Sequence, residues 1–349
     1  MENLALYRKY RPKDWNEVVG QDHIVSVLEN SIKTGNISHA YLFVGSRGTG
    51  KTSLARIFAN NLKISPNDTY EIDAASNRGI DDIRELRDGV RTLPFDSKYK
   101  IYIIDEVHML SKDAWGALLK TLEEPPAHVI FILATTELHK VPDTIISRCQ
   151  VFNFKKPTDL ILRNHLSKIA KEEGFTLAQG SDELIAILGD GSFRDALGIL
   201  DKVLNFAKKD KKKDSIDTEL IESITNAPKR ILVNDFLASL VNSSTQEALD
   251  IIRKASLSNL DINLFLKLIL QKFRLAVIIR YAPSQVENMK GDLAEEDLEF
   301  LKNLVKEDKK AILRSRALII LLEAYANLNN AFIPSLPLEL AVIKILNEE

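Results

Sequence analysis

The sequence has almost no cysteine, since Cys149 is the only one in 349 residues. One thiol cannot form an internal disulfide, and it leaves too few thiolates for a structural zinc site. The sequence also lacks an apolar run long enough to span a membrane, and its polar, basic N-terminus has no apolar stretch of the secretory kind. These absences predict a cytoplasmic protein without a membrane anchor and without zinc.

An excess of one charge is also missing. The net charge is −2, from 47 basic and 49 acidic residues, while 45% hydrophobic and 28% charged residues are typical of a folded protein. Any contact with nucleic acid therefore has to use a local basic surface. The run 208–214 contains only Lys and Asp, and we interpret it as a solvated linker near a domain boundary.

The order of predicted elements indicates an α/β domain followed by helices. In the first part of the chain, short β-rich runs alternate with amphipathic stretches, which predicts a parallel sheet with crossover helices. After Pro157 the apolar residues recur at helical spacing, and no strand is predicted. The length suggests more than one core, and we expect domains at 1–156, 157–226 and 227–349. The predicted strands are 41–44, 69–72, 101–104, 129–133 and 151–154, and the predicted helices include 51–62, 79–91, 111–124, 231–240, 246–255, 260–281 and 311–328.

A glycine-rich segment at 45–52 has the pattern G-x-x-x-x-G-K-[ST]. It follows a β-run and precedes a helix, which is the context that a phosphate-binding loop requires, although a glycine turn before an ordinary helix is the alternative. The glycines let backbone N–H groups surround phosphate oxygens, and the helix dipole favours the negative charge. Lys51 is expected to reach the β- and γ-phosphates, and Thr52 to hold Mg²⁺. The predicted nucleotide-binding residues here are Gly45, Ser46, Arg47, Gly48, Thr49, Gly50, Lys51, Thr52 and Ser53.

Two carboxylates, Asp105 and Glu106, end the apolar strand 101–104. They should therefore lie at the carboxyl edge of the sheet, beside the phosphate loop. Asp105 is the expected Mg²⁺ partner, through water, and Glu106 the general base that orients or deprotonates the attacking water. Such a pair is often only a solvated turn, but with a phosphate loop upstream it indicates a nucleoside triphosphatase.

Further along the chain, three residues are candidate partners of the γ-phosphate. Thr136 ends the next strand with a hydroxyl that could hydrogen-bond the γ-phosphate or the attacking water, although threonine is also an ordinary strand residue. Arg148 follows a predicted short helix, and Arg194 lies in the first turn of a long helix whose Ser192 and Asp195 have capping-box spacing. A single arginine is usually a surface charge. Two arginines after a complete phosphate site are predicted to stabilise charge, one of them as an arginine finger on a neighbouring subunit.

Taken together, these motifs resemble the gamma/tau subunit family of the bacterial DNA polymerase III clamp loader. The resemblance covers nearly all of 1–204 and is weaker to the end. It implies an AAA+ P-loop ATPase domain at 1–156, a helical lid at 157–226 and a helical collar at 227–349, through which subunits form a pentamer. The matching segments, as they stand in this sequence, are 7–12 (YRKYRP), 18–21 (VVGQ), 39–43 (HAYLF), 73–79 (DAASNRG), 105–110 (DEVHML), 117–126 (ALLKTLEEPP), 147–149 (SRC) and 191–197 (GSFRDAL).

The resemblance also implies roles for single residues. Thr136 corresponds to the sensor-1 position, Arg194 to sensor 2 and Arg148 to the trans-acting finger. Arg78 corresponds to a position that contacts the template strand. The residues that correspond to the adenine pocket are Tyr7, Arg8, Arg11, Pro12, Val18 and Val19. Three further arginines, which either extend a basic stripe toward DNA phosphates or are solvated helix-face charges, are Arg84, Arg87 and Arg91.

By the same resemblance, the chain is expected to be a motor subunit that uses ATP and Mg²⁺ to load the sliding clamp onto primed DNA. Its expected partners are the delta and delta-prime subunits, further gamma copies, the clamp, with 111–124 as a candidate contact, and primer-template DNA.

Two departures from the family narrow this expectation. The family usually carries a four-cysteine zinc module before the second strand, whereas 62–69 is short and has no cysteine. The longer tau forms continue past the collar, whereas this sequence ends at Glu349, so a gamma-like subunit without direct tethering of polymerase or helicase is expected.

Two other interpretations are weighed, of which the intact Lys51, Thr52, Asp105 and Glu106 argue against the first and the helical composition after Pro228 disfavours the second. The first is a non-catalytic subunit that resembles delta-prime, a kind of subunit that tends to have a damaged phosphate loop. The second is another AAA+ motor, such as a Holliday-junction branch-migration motor, which would carry a winged-helix unit in place of the helical C-terminal part.

Overall fold

A computed structural model describes residues 4–76, 86, 88–208, 214–284 and 295–347. The chain divides into two compact units, one formed by Met1–Leu162 with Gly189–Gly198 and the other by Arg163–Leu188 with Ile199–Glu349. Within the described ranges, no helix combines the length and the apolarity needed to cross a membrane. The predicted division into three domains at 156 and 226 stays a prediction.

A parallel sheet of five strands forms the centre of the first unit. All five strands were predicted from their apolar runs. The three central strands are buried over almost their whole length, as expected for strands covered on both faces. The predicted fold class is therefore confirmed. The strands are β1 Ala40–Val44, β2 Thr69–Asp73, β3 Lys100–Asp105, β4 Val129–Thr135 and β5 Gln150–Asn153. Their order in the sheet is β2-β3-β4-β1-β5.

Helices cover both faces of this sheet, and each face has its own apolar core. One core includes Ile24, Leu28 and Phe58, and the other includes Trp115 and Leu118. The helices of this part are α1 Leu6–Lys9, α2 Asp22–Thr34, α3 Lys51–Asn61, α4 Lys112–Glu123 and α5 Asp143–Ile146. Of the predicted helix 79–91, only 86 and 88–91 lie within the described residues.

The remainder of the described chain is helical, with one exception. Two strands of two residues each, β6 Thr176–Leu177 and β7 Ser215–Ile216, pair in parallel, so the prediction of no strand after Pro157 was wrong. Runs this short carry no alternation that a sequence could reveal. The helices are α6 Asp159–Glu172, α7 Ser181–Leu188, α8 Phe193–Ala207, α9 Thr218–Thr225, α10 Arg230–Val241, α11 Thr245–Leu257, α12 Ile262–Tyr281, α13 Glu295–Glu307, α14 Ser315–Asn327 and α15 Leu336–Asn347.

The strand order brings the candidate site together. In a parallel sheet the carboxyl ends of all strands meet at one edge. Here β1 leads into Gly45, β3 ends at Asp105, and β4 is followed by Thr136. The backbone N–H of Gly45 donates to Thr135 O at 3.1 Å, which joins the phosphate loop to the end of β4.

Candidate nucleotide site

The predicted phosphate loop encloses its own lysine. The Nζ of Lys51 donates to the carbonyl oxygens of Gly45 at 2.7 Å and Ser46 at 3.0 Å, and Lys51 is only 6% exposed. Burial lowers the pKa of Lys51, while the charges of Glu106 and Asp105 act in the opposite direction. A buried ammonium group therefore lies inside the loop, next to two carboxylates, at the start of α3.

Glycine is required at Gly48 for two reasons. Its φ is 74°, which lies in the left-handed region, and a Cβ there would lie 2.0 Å from Ser192 Oγ. The carbonyl of Gly48 also accepts the N–H of Phe193 at 3.1 Å. The loop is thus packed against the start of α8, a contact that the sequence did not reveal.

Two oxygen donors that were predicted to hold Mg²⁺ are in direct contact. The hydroxyl of Thr52 donates to Asp105 Oδ2 at 2.6 Å, and Asp105 Oδ1 accepts the N–H of Glu106 at 3.0 Å. Hydroxyl and carboxylate oxygens are ligands that Mg²⁺ prefers, and this ion usually keeps several waters beside one or two protein ligands. The donor set therefore fits a magnesium ion bound with nucleotide phosphates.

Glu106 adopts a backbone conformation that is uncommon outside glycine, with φ 48° and ψ 43°. Such outliers persist only when the surroundings hold them, and they cluster at functional sites. Thr136 is one such neighbour, because its Oγ1 donates to Glu106 Oε2 at 3.2 Å. The two residues that were predicted to act on the attacking water therefore lie together.

His108 is a residue of this site that the sequence reasoning missed. Its side chain is 6% exposed, and its Nδ1 lies 3.0 Å from Thr135 Oγ1 and 3.5 Å from Glu106 Oε2. Its Nε2 lies 3.2 Å from Glu137 Oε1. The signal that could have found His108 is that β3 and β4 are adjacent parallel strands, so that residues just after both strands lie at the same edge of the sheet.

Arg194 lies beside the phosphate loop. Ser192 Oγ accepts the N–H of Asp195 at 3.2 Å, which confirms the predicted cap and orients the first turn of α8. A Cβ on Gly48 would lie 3.4 Å from the Cβ of Arg194. The charge of Arg194 also contributes to lowering the pKa of Lys51, after burial. A guanidinium group is therefore available near the phosphate loop from the same chain.

Among the predicted adenine-pocket residues, Arg11 has the clearest contact. Its Nε donates to Ser53 Oγ at 3.2 Å, and its pKa is lowered by burial and then by the charges of Arg56 and Arg194. The guanidinium of Arg8 lies over the ring of Tyr7, 5.7 Å from its centroid. Val18 packs against an apolar core, Val19 is exposed, and Pro12 is partly buried. Their contact with adenine stays a prediction.

Arg148 is hydrogen-bonded to residues outside the phosphate loop of its own chain. Its guanidinium donates to Thr144 O at 2.7 Å and to Glu123 Oε1 at 2.9 Å, and its side chain is 34% exposed. Within the described residues it has no hydrogen bond to the loop. The next residue, Cys149, packs against the core that contains Trp115, and burial raises the pKa of its thiol to about 12.

The candidate DNA contact Arg78 lies outside the described residues, as do Arg84 and Arg87. Arg91 lies within them and is exposed.

Comparisons with known proteins relate the chain to subunits of one replication enzyme. A family model described as DNA polymerase III, delta subunit, matches residues 20–77 and 62–158. The DNA polymerase III subunit tau of Bacillus subtilis is 45% identical over 271 residues, which are 72% of this chain and 47% of that protein. The DNA polymerase III subunit gamma of Buchnera aphidicola is 37% identical over 309 residues, which are 81% of this chain and 81% of that protein. The chain spans half or less of the length of several such relatives.

The fold is also similar to that of solved AAA+ proteins. The Holliday junction branch migration motor RuvB of Thermotoga maritima superposes with a TM-score of 0.53 at 22% identity, over 68% of this chain and 80% of that chain. At this identity the likeness concerns the fold alone.

Proposed function

Because the chain belongs to the gamma/tau subunit family of DNA polymerase III, we propose that it is an ATPase motor subunit of the clamp loader. It binds and hydrolyses ATP in the cytoplasm to load the sliding clamp onto primed DNA, together with delta, delta-prime and further gamma copies. The observation that carries this proposal is the contact of 2.6 Å between Thr52 Oγ1 and Asp105 Oδ2 beside an intact phosphate loop.

Each group at the sheet edge has a task in this reaction. The loop N–H groups and Lys51 bind the β- and γ-phosphates, and Glu106, with Thr136 beside it, orients the attacking water and accepts its proton. Arg194, which belongs to the same chain as the phosphate loop, neutralises negative charge on the phosphates. Thr52 and Asp105 are the residues that would hold Mg²⁺, which when bound would neutralise phosphate charge.

Assembly completes the site in this proposal. Arg148 is partly exposed and bonded to Glu123 rather than to its own loop, which supports a role at the γ-phosphate of a neighbouring subunit. ATP binding then closes the interfaces between subunits and holds the clamp open. DNA entry triggers hydrolysis, and loss of the γ-phosphate relaxes the ring of subunits.

The last two helices offer a surface for this assembly. Monomers rarely expose large contiguous apolar patches, yet α14, α15 and the turn between them expose several large apolar side chains. This supports the proposed collar. The exposed residues are Ile319, Leu322, Phe332, Ile333, Leu340 and Ile343.

A non-catalytic, delta-prime-like subunit is the second candidate, and the match to a delta-subunit family model favours it. The two candidates differ in the expected chemistry. Only a catalytic subunit requires a lysine enclosed by the phosphate loop and a glutamate held beside Thr136, as found here for Lys51 and Glu106.

ATP turnover by the reconstituted loader, measured with and without the cognate clamp and primed DNA, tests the proposal. Stimulation by clamp and DNA together, lost in Lys51→Ala, is the expected result. Turnover that is the same with Lys51→Ala would instead assign this chain to the non-catalytic class.

A further inference from the structure

A buried imidazole separates two carboxylates at the edge of the sheet. His108 lies in the short 3-10 helix Val107–Met109, directly after Glu106, and its ring has Glu106 on one side and Glu137 on the other. We propose that His108 is a positioning residue for hydrolysis, which keeps the Glu106 carboxylate oriented toward the attacking water. This inference rests on the proposed ATPase function.

The ring itself is fixed from two directions. Thr135 Oγ1 accepts the N–H of Glu137 at 3.0 Å, so its single hydroxyl hydrogen is free to point at His108 Nδ1, 3.0 Å away. With that arrangement Nε2 carries the ring proton and donates to Glu137 Oε1 at 3.2 Å. Thr135 is completely buried, and Glu137 follows it by two residues, so both partners of the ring are anchored to the end of β4.

Glu137 is itself kept in place as the acceptor. The ammonium of Lys140 lies 2.8 Å from Glu137 Oε2, and this hydrogen bond is the largest cause that lowers the pKa of Glu137. The carboxylate therefore stays ionised at neutral pH and accepts from the imidazole. A chain of contacts runs from Lys140 at the surface through Glu137 and His108 to Glu106.

Glu106 needs such support more than an ordinary glutamate. Fixing a side chain of this length costs rotamer entropy, and the left-handed backbone of Glu106 is held only by its surroundings. Oε2 of Glu106 meets Thr136 Oγ1 at 3.2 Å and His108 Nδ1 at 3.5 Å. The hydroxyl donates to this oxygen and the imidazole packs against the same oxygen, so the two side chains together limit the orientations that the carboxylate can adopt.

The test uses the assembled loader with His108→Ala and His108→Asn, the second of which places an amide near the Nδ1 position. His139→Ala is the matched control, because His139 also faces Glu137, at 3.6 Å, but is 75% exposed and has no contact with Glu106 among the described residues. We expect His108→Ala to lower kcat by about 10- to 100-fold, with KM and nucleotide affinity changed by less than about 3-fold. His108→Asn should recover part of the loss, and His139→Ala should behave as wild type.

A double-mutant cycle separates positioning from a merely structural role. If His108 acts through Glu106, then adding His108→Ala to Glu106→Gln should lower kcat little further. Full additivity of the two losses would overturn the inference. So would a His108→Ala subunit that turns over at the wild-type rate, or variants at His108 that lose nucleotide affinity and thermal stability together. A wild-type subunit that binds ATP without any turnover would contradict the proposed function instead.

Discussion

Among single residues, Arg148 has the role that depends most on a neighbouring subunit. We expect Arg148→Ala to leave ATP affinity within about 3-fold, because Arg148 has no contact with its own phosphate loop among the described residues. DNA-stimulated turnover should fall by about 10³-fold or more, as for the loss of an arginine finger. The measurements are equilibrium nucleotide binding and steady-state ATP turnover with clamp and primed DNA.

The control for this substitution is Glu123→Ala. It removes the acceptor of an ion pair whose side chains are 34% and 45% exposed, and such surface pairs contribute little. Glu123→Ala should therefore retain turnover because the guanidinium remains. Unchanged turnover in Arg148→Ala would refute the assignment of the finger.

Residues at strand ends were easier to predict than residues in turns. Thr52, Asp105, Glu106 and Thr136 could be placed together because parallel strands end at one edge and because the phosphate loop has a fixed pattern. The same argument could have placed His108 at this edge, but it could not have predicted its contacts. Its contacts depend on the left-handed backbone at Glu106, which no local pattern signals.

Among the elements, the start of α8 packs against the phosphate loop, and the contact is made at Gly48. Gly48→Ala would put a methyl group 2.0 Å from Ser192 Oγ at a φ of 74°. We expect ATP affinity to fall by about 10-fold or more, because the loop has to move away from α8 or lose its shape. Nucleotide titration of the purified variant measures this loss.

Gly35→Ala is the matched control. Gly35 has a similar φ of 71°, but a Cβ there meets no atom within 4 Å. It should cost only about 1 kcal/mol of stability and leave ATP affinity unchanged. Equal affinity for ATP in both variants would show that the contact with Ser192 has no part in nucleotide binding.

In the second unit, helix α7 carries a carboxyl group in an unfavourable environment. Burial raises the pKa of Glu183 to about 7, with Asp297 and Asp182 acting in the same direction and Arg163 and Lys272 opposing them. Because this folded pKa exceeds the ordinary value, the folded state binds the proton more tightly. The resulting stability is present at low pH and is lost as pH rises through about 7.

Glu183→Gln should remove that loss. We expect the variant to be more stable than wild type by about 1–3 kcal/mol near pH ~8.5, with little difference near pH ~4. Urea unfolding at both pH values gives the comparison, and the exposed Glu299→Gln serves as control. A difference between wild type and Glu183→Gln that does not vary with pH would contradict the assigned cause.

For the whole molecule, the apolar surface of α14 and α15 predicts how copies associate. Leu322→Asp and Leu340→Asp replace side chains that are 49% and 55% exposed, so the fold should tolerate them. We expect self-association to weaken by about 10-fold or more, since a charge would be buried without a partner. ATP affinity of the single subunit should stay the same.

Sedimentation at several concentrations measures this association. Leu257→Asp is the control, because Leu257 is 75% exposed on α11, outside the proposed surface. If Leu257→Asp weakens association as much as Leu322→Asp does, the effect is not specific to α14 and α15.

At this scale the sequence predicted element types well and the grouping of elements less well. The parallel sheet and the helices follow from apolar periodicity. That 189–198 belongs to the first unit could not be predicted, because it depends on the contact between Phe193 and Gly48, which lie far apart in the chain.

Cys149 has a practical consequence. It is the only thiol of the chain, it is half-buried next to Arg148, and its pKa is raised to about 12, so alkylating reagents should label it slowly. Any opening of the segment that follows α5 would expose the sulfur and speed labelling. Cys149 can therefore serve as a chemical probe without an engineered cysteine. Its labelling rate in the absence and presence of ATP and DNA would report conformational changes of the segment that contains Arg148.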